Sequence, residues 1–126
     1  MANSIMQAVA AAKAIVAPIS PDELKGMVGR EDTVIVDVRD PAELADTGKI
    51  PGALNVSRGM LEFRACESSP MHDETFSKDK TVVVYCASGG RAALAGKTLI
   101  DLGFSDVRSL GALKSWTEAG GEVEPA

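Results

Sequence analysis

Histidine and cysteine are scarce in this 126-residue chain, which has only His72, Cys66 and Cys86. The two cysteines lie twenty positions apart, with no C-x-x-C spacing. Since a structural zinc site needs about four closely spaced ligands, the sequence predicts no metal site. A single histidine excludes the two-histidine zinc protease motif and argues against a Ser-His-Asp hydrolase. Two cysteines with no disulfide pattern indicate a reducing compartment, and we expect a cytoplasmic protein.

Excess positive charge and long apolar runs are also lacking. The 13 basic residues against 18 acidic ones give a net charge of −5. We therefore expect neither nucleic acid nor a membrane as a partner. The apolar stretch 5–17 is shorter than the ~20 residues of a membrane span, and Gln7 and Lys13 interrupt it. We interpret residues 1–17 as an N-terminal helical extension and 18–126 as a single domain.

Predicted strands and helices alternate along the chain. Residues 33–38 and 81–85 are apolar, β-branched runs, which are typical of strands buried on both faces. This alternation predicts an α/β fold, with a mostly parallel sheet and helices on both faces. The other predicted elements are strands at 53–56 and 107–110, helices at 21–28, 41–48, 91–102 and 113–119, a helical turn at 59–65 and an irregular surface connection at 66–80.

The segment between strand 81–85 and helix 91–102 has the clearest chemical pattern. Ligands of parallel α/β sheets bind beyond the carboxyl ends of the strands. The glycines in this segment allow backbone N–H groups to turn inward and form an anion nest, and the helix N-terminus and an arginine add positive charge. A thiol in that field ionises more readily, so we predict a reactive Cys86 with a lowered pKa. The alternative is a small buried core residue at a strand end. The segment reads Cys86, Ala87, Ser88, Gly89, Gly90, Arg91.

Three motifs in the same order resemble the rhodanese family. VDVRDPAEL at 36–44 and GKIPGALNV at 48–56 are similar to its D-x-R, Glu and G-H-I-P-G-A-x-N signature. CASGGR at 86–91 resembles the active-site loop C-x-x-G-x-R, and LGALKSW at 110–116 resembles the closing G-G-x-x-x-W. The resemblance implies a rhodanese-like three-layer sandwich with about five strands. The chain departs from the pattern at Leu44, Lys49 and Ala112.

The resemblance also implies an activity. A rhodanese-type thiosulfate sulfurtransferase moves a sulfane sulfur from a donor such as thiosulfate to cyanide or a thiol, through a persulfide on its cysteine, here Cys86. No cofactor is implied. The family's loop cradles the persulfide and the anionic donor, and its arginine orders the loop with a carboxylate. Carried over by position, the substrate-binding residues are Ala87, Ser88, Gly89, Gly90 and Arg91.

Three further residues are candidates at the same end of the sheet. Asp37 and Arg39 lie at the end of the neighbouring strand, and we expect them to support the loop. The alternatives are direct contact with the substrate and a buried ion-pair network with Glu43. Arg58 follows strand 53–56 and is a candidate for binding the donor anion, with a surface arginine as the alternative.

Two other function classes compete with the sulfurtransferase. One is a persulfide carrier or regulatory module that delivers sulfur to a protein partner. The other is a cysteine phosphatase or arsenate reductase of the same fold. Such phosphatases have five residues between Cys and Arg, whereas this loop has four, which gives a cradle suited to a single sulfur.

We expect Cys66 to be a bystander or a resolving thiol, His72 a surface or loop residue, and Trp116 a core residue.

Overall fold

Five strands form one sheet in the computed structural model, which describes residues 4–126. They are β1 (Ala17–Pro18), β2 (Thr33–Asp37), β3 (Leu54–Asn55), β4 (Thr81–Cys86) and β5 (Val107–Ala112). Their spatial order is β1-β5-β4-β2-β3, and every neighbouring pair is parallel. The helices are α1 (Ile5–Ile15), α2 (Pro21–Lys25), α3 (Pro41–Thr47), α4 (Leu61–Ala65), α5 (Gly90–Asp101) and α6 (Leu113–Glu118), with a 3₁₀ turn at Arg58–Met60.

The side chains of β4 alternate between two buried layers. Val82, Val84 and Cys86 pack with residues of α4 and α5. Val83 and Tyr85 pack with residues of α2 and α6 on the other face. Because both faces are covered, the strand has no polar-facing side, which explains its continuous apolar sequence. The predicted α/β fold with helices on both faces is confirmed.

The N-terminal helix α1 packs against α5, and the strand β1 that follows it forms one edge of the sheet. Val9 and Ala12 of α1 form a small buried cluster with Ala93 of α5, and β1 pairs with β5. The sequence did not predict β1. The first three residues of the predicted extension 1–17 lie outside the described residues, and its separation from the domain stays a prediction. No helix within residues 4–126 has the length and apolar character needed to cross a membrane.

The C-terminal segment closes over the turn that follows α3. Lys49 and Glu124 form an isolated antiparallel bridge. The Glu124 carboxylate accepts hydrogen bonds from the Lys49 ammonium at 3.1 Å and the Gly52 N–H at 2.6 Å. Trp116 is buried, as predicted, and its indole N–H donates to the Glu122 carbonyl at 2.7 Å. Lys49, one of the departures from the motif, thus helps to fasten this segment.

Candidate active site

The loop between β4 and α5 folds back over the Cys86 sulfur. The N–H groups of Gly89 and Ala92 donate hydrogen bonds to Cys86 Sγ, at 3.0 and 3.3 Å. Gly89 has a φ of +105°, and a Cβ there would contact the Gly111 backbone. The turn therefore favours glycine both for its left-handed backbone and for its closeness to β5. Cys86 itself is fully buried.

Other N–H groups of the loop have no acceptor. Among residues 4–126, none of the backbone N–H groups of Ala87, Ser88, Gly90 and Arg91 has a hydrogen-bond partner. Gly90 and Arg91 are the first residues of α5, where N–H groups have no partner within the helix. Ala87 and Ser88 are exposed. Free backbone N–H groups of a loop can bind an anion, and the assignment of these residues to substrate binding stays a prediction.

Arg91 is tied to α3 by a two-pronged ion pair. Its Nη1 and Nη2 groups donate to the two carboxylate oxygens of Glu43, at 2.7 and 2.8 Å. Glu43 also accepts from the N–H of Asp40 at 2.8 Å. These hydrogen bonds, the one from Arg91 first, lower the pKa of Glu43 from its ordinary 4.5 to about 2. The hydrogen bond to Glu43 raises the pKa of Arg91.

This ion pair predicts an acid-sensitive contribution to stability. Because the Glu43 pKa is lower in the folded protein than in the unfolded chain, the ion pair stabilises the fold at pH values above the unfolded pKa. This stabilisation is lost as pH falls from about 4.5 to about 2. Because both side chains are about one-third exposed, we expect at most about 1 kcal/mol. In urea titrations, the stability difference between wild type and Glu43→Gln should be largest near pH 7 and shrink towards pH 2.5.

The control for this titration is Glu62→Gln, which removes the more exposed carboxylate paired with Arg58. Its stability difference from wild type should stay smaller across the same range. A Glu43→Gln difference that does not depend on pH would contradict the role assigned to the ion pair.

Asp37 and Arg39 form a buried pair beside the loop. Arg39 donates from Nη2 to Asp37 Oδ2 at 2.7 Å and from Nε to both carboxylate oxygens, and both residues are at most 2% exposed. Arg39 also donates to Thr47 Oγ1 and the Gly48 carbonyl, each at 2.7 Å. Within residues 4–126 the Glu43 carboxylate forms its ion pair with Arg91 rather than Arg39, although the charge of Arg39 also helps to lower the pKa of Glu43. Asp37 and Arg39 thus hold the end of α3, and their support of the loop stays a prediction.

A cavity of about 460 Å³ opens beside the loop. Its lining contains one residue of the loop, Ala87, together with Arg39, which lies between β2 and α3, and residues of α3 and α6. The sequence did not single out Lys114 and Thr117, although both lie in or next to the LGALKSW motif. The lining residues are Arg39, Thr47, Ala87, Leu113, Lys114 and Thr117.

Arg58 is held away from the loop in this conformation. Its Nη1 donates to Glu62 at 2.9 Å, and its Nη2 donates to Thr98 at 2.8 Å. Thr98 is eight residues after Gly90, the first residue of α5, which places it about 12 Å along the helix axis. Donor binding by Arg58 stays a prediction, and it would require the guanidinium to leave both partners.

Cys66 and His72 lie in the region after α4. The Ser68 hydroxyl, 3.2 Å from Cys66 Sγ, lowers the pKa of that thiol. The Nε2 atom of His72 is buried, and no partner for it occurs in the part of the chain that the structure describes. Within the same residues, no group of three or more His, Cys, Asp or Glu side chains is placed to hold a metal ion.

Comparisons with known proteins match this fold and most of the chain. Residues 20–119 match the family model of the rhodanese-like domain. A structure from Rhodopseudomonas palustris, described as a protein of unknown function and possible tyrosine phosphatase, has a TM-score of 0.87 and 36% identity, over 98% of this chain and 96% of that one. The polysulfide-sulfur transferase homodimer of Wolinella succinogenes has a TM-score of 0.75 and 35% identity, over 95% of this chain and 86% of that one. A sulfurtransferase of Allochromatium vinosum is 36% identical over 91 residues, or 71% of this chain and 77% of its own length.

Proposed function

Since the chain belongs to the rhodanese-like domain family, we propose that it is a sulfurtransferase that carries a sulfane sulfur on Cys86. The observation that carries this proposal is the Cys86 sulfur itself, which accepts N–H bonds at 3.0 and 3.3 Å from its own loop. Four more loop N–H groups have no acceptor in residues 4–126. The relatives named for sulfur transfer are consistent with this chemistry.

The first half of the proposed reaction loads the cysteine. The Cys86 thiolate attacks the outer sulfur of a donor such as thiosulfate or a polysulfide. With thiosulfate, the S–S bond breaks, sulfite leaves with the bonding pair, and a persulfide anion forms on Cys86. The loop N–H groups stabilise the negative charge on the outer sulfur, as fixed donors do when charge develops in a dry site. In this proposal Ser88, whose hydroxyl is exposed and unpaired within residues 4–126, adds another donor to the outer sulfur.

The second half returns the cysteine to its starting state. A nucleophile, either cyanide or a thiolate, attacks the outer sulfur of the persulfide. The S–S bond breaks, and the bonding pair returns to Cys86 as a thiolate. Cyanide leaves as thiocyanate, and a thiol leaves as its own persulfide. No external oxidant or reductant is consumed, so the proposed reaction calls for no redox cofactor. We place this reaction in the cytoplasm, where thiols stay reduced.

Phosphatase chemistry is the second candidate, because a similar structure is described as a possible tyrosine phosphatase. Phosphoester cleavage needs a general acid to protonate the leaving oxygen. The cavity beside the loop has no Asp or Glu among its lining residues. The four-residue spacing between Cys86 and Arg91 also gives a smaller ring of donors. Rapid hydrolysis of an aryl phosphate by the reduced protein would favour the phosphatase over the sulfurtransferase.

Intact-protein mass spectrometry after incubation with thiosulfate tests the proposal. We expect the reduced protein to gain one sulfur atom, and cyanide to remove it. After alkylation, tryptic digestion separates the two cysteines, since Cys86 lies in the peptide 81–91 and Cys66 in the peptide 65–78. The extra sulfur should be on 81–91, and the Cys66→Ser variant should load equally.

Two other results would change the conclusion. A folded, reduced protein that gains no sulfur from thiosulfate or polysulfide would contradict the proposal. Stoichiometric loading with very slow release to cyanide and small thiols would favour the persulfide carrier that delivers sulfur to a protein partner.

A further inference from the structure

The N-terminal helix α1 lies directly beside the first turn of α5. A Cβ on Gly90 would lie 3.8 Å from Val9 Cγ2, and a Cβ on Gly96 would lie 2.8 Å from Val16 Cγ1. Since both residue numbers rise together from the first contact to the second, the two helices run parallel. The second contact lies about 9 Å further along α5 than the first. Of these two contacts, the one made by Val9 is therefore the one at the Cys86 loop.

Gly90 is a point of conformational freedom in this loop. It follows Gly89, and two successive residues without side chains leave the backbone unusually free to move. Within residues 4–126, the Gly90 N–H has no acceptor. Gly89 is restrained by its hydrogen bond to Cys86 Sγ and by the nearby backbone of Gly111. At Gly90 the neighbouring group is the side chain of Val9 instead.

Val9 is itself held firmly in place. It is 9% exposed and forms a buried cluster with Ala12 and Ala93. A β-branched side chain in a helix has one strongly preferred rotamer, so a packed valine is a stiff support. The helix that carries it precedes residues 20–119, which match the family model. The support at Gly90 thus comes from outside the matched part of the chain.

We propose that Val9 is a positioning residue, which supplies from α1 the side chain that the loop lacks at Gly90 and so holds the first turn of α5 against Cys86. The inference rests on the proposed function, since it concerns the same loop. In this arrangement the Gly89 and Ala92 N–H groups stay directed at the sulfur, at 3.0 and 3.3 Å. The free N–H groups at the start of α5 are also ordered before the donor anion arrives. An ordered loop binds the anion more tightly, because binding does not then have to supply the cost of ordering it.

Single-turnover loading by thiosulfate, followed by intact mass, tests this role. The measurements use the Cys66→Ser background, in which Cys86 is the remaining cysteine. Val9→Ala removes the Cγ2 contact and should raise the half-saturating thiosulfate concentration about fivefold. The maximal rate should stay at the value of the Cys66→Ser parent, because a bound anion orders the loop. Val9→Ile keeps Cγ2 and should restore both constants.

Val16→Ala is the matched control. It makes the same change at the same helix interface, at a residue that is 6% exposed and lies against Gly96 instead of Gly90. It should lower the free energy of unfolding in urea at least as much as Val9→Ala does, and it should leave both loading constants unchanged. Equal rises of the half-saturating concentration in Val9→Ala and Val16→Ala would overturn the positioning role by assigning the effect to general stability. An unchanged constant in Val9→Ala, or a Val9→Ile variant as impaired as Val9→Ala, would also overturn it.

A second readout does not depend on sulfur chemistry. Amide hydrogen exchange at Gly89 and Ala92 reports the two N–H bonds to Cys86 Sγ. Both amides should exchange faster in Val9→Ala than in the parent, and at the parent's rate in Val16→Ala. This pattern in a protein that takes up no sulfur would refute the proposed function while supporting the role of Val9. Unchanged exchange in Val9→Ala, in a protein that loads normally, would refute the role of Val9 alone.

Discussion

Replacing Cys86 by serine should abolish sulfur loading and lower thiosulfate:cyanide turnover by at least about 10³-fold, as expected when a covalent nucleophile is removed. A serine hydroxyl stays protonated at neutral pH, whereas the thiolate is the nucleophile in sulfur exchange. The variant should still fold, because the smaller hydroxyl can accept the N–H bond that Gly89 now donates to the sulfur. Thiocyanate formation and intact mass together measure the effect.

The matched control is Cys66→Ser, which removes the partly exposed cysteine outside the loop. It should turn over at the wild-type rate. Full activity in Cys86→Ser, with activity lost in Cys66→Ser, would make Cys66 the nucleophile and refute the site described here. Equal urea midpoints of the two variants would show that loss of activity does not reflect loss of fold.

Replacing Asp37 by alanine should destabilise the fold by about 3–5 kcal/mol, the usual cost of breaking a buried ion pair. Asp37 is fully buried, and Arg39 is 2% exposed. The substitution removes the only carboxylate bound to Arg39 in residues 4–126 and leaves its charge in the interior. The free energy of unfolding in urea measures this loss.

Two further variants separate the buried charge from a general loss of contacts. Asp32→Ala removes a carboxylate paired with Arg30 where both side chains are more than half exposed, and it should destabilise the fold far less than Asp37→Ala does. The double variant Asp37→Ala/Arg39→Met should be more stable than Asp37→Ala alone, because no unpaired charge is left inside. If the double variant were less stable than Asp37→Ala, the unpaired charge would not explain the loss.

Most of the fold could be predicted because its central strands have an unambiguous pattern. The apolar runs beginning at Thr33 and Thr81 lie on β2 and β4, and capping signals at Ser20 and Asp40 begin α2 and α3. The strand β1 could not be predicted, because a strand of two residues, one of them a proline, is too short to show the alternating hydrophobic pattern of a strand. Its pairing with β5, some ninety residues later, is a long-range contact with no local signal.

In the candidate site, too, features that are local in sequence could be predicted, and contacts between distant residues could not. The loop after β4 is contiguous in sequence, so its glycines and arginine are enough to identify it from the sequence. The partner of Arg91 has no local signal, because Glu43 lies 48 positions away, and the sequence also allows Glu43 to join a buried network with Asp37 and Arg39. Lys114 was missed altogether. Only the packing of α6 beside the loop makes a solvated lysine part of a cavity, and no residue pattern reports that packing.

The two outermost strands have a consequence for how this protein behaves at high concentration. Both β1 and β3 are only two residues long, and β1 ends in Pro18, which has no N–H to offer. Short edges and edge prolines give another chain little to pair with, which is how natural sheets avoid adding strands from neighbours. The apolar strands β2 and β4, together with β5, lie between these edges. The sheet is therefore protected against edge-to-edge aggregation, although its central strands alone would be prone to it.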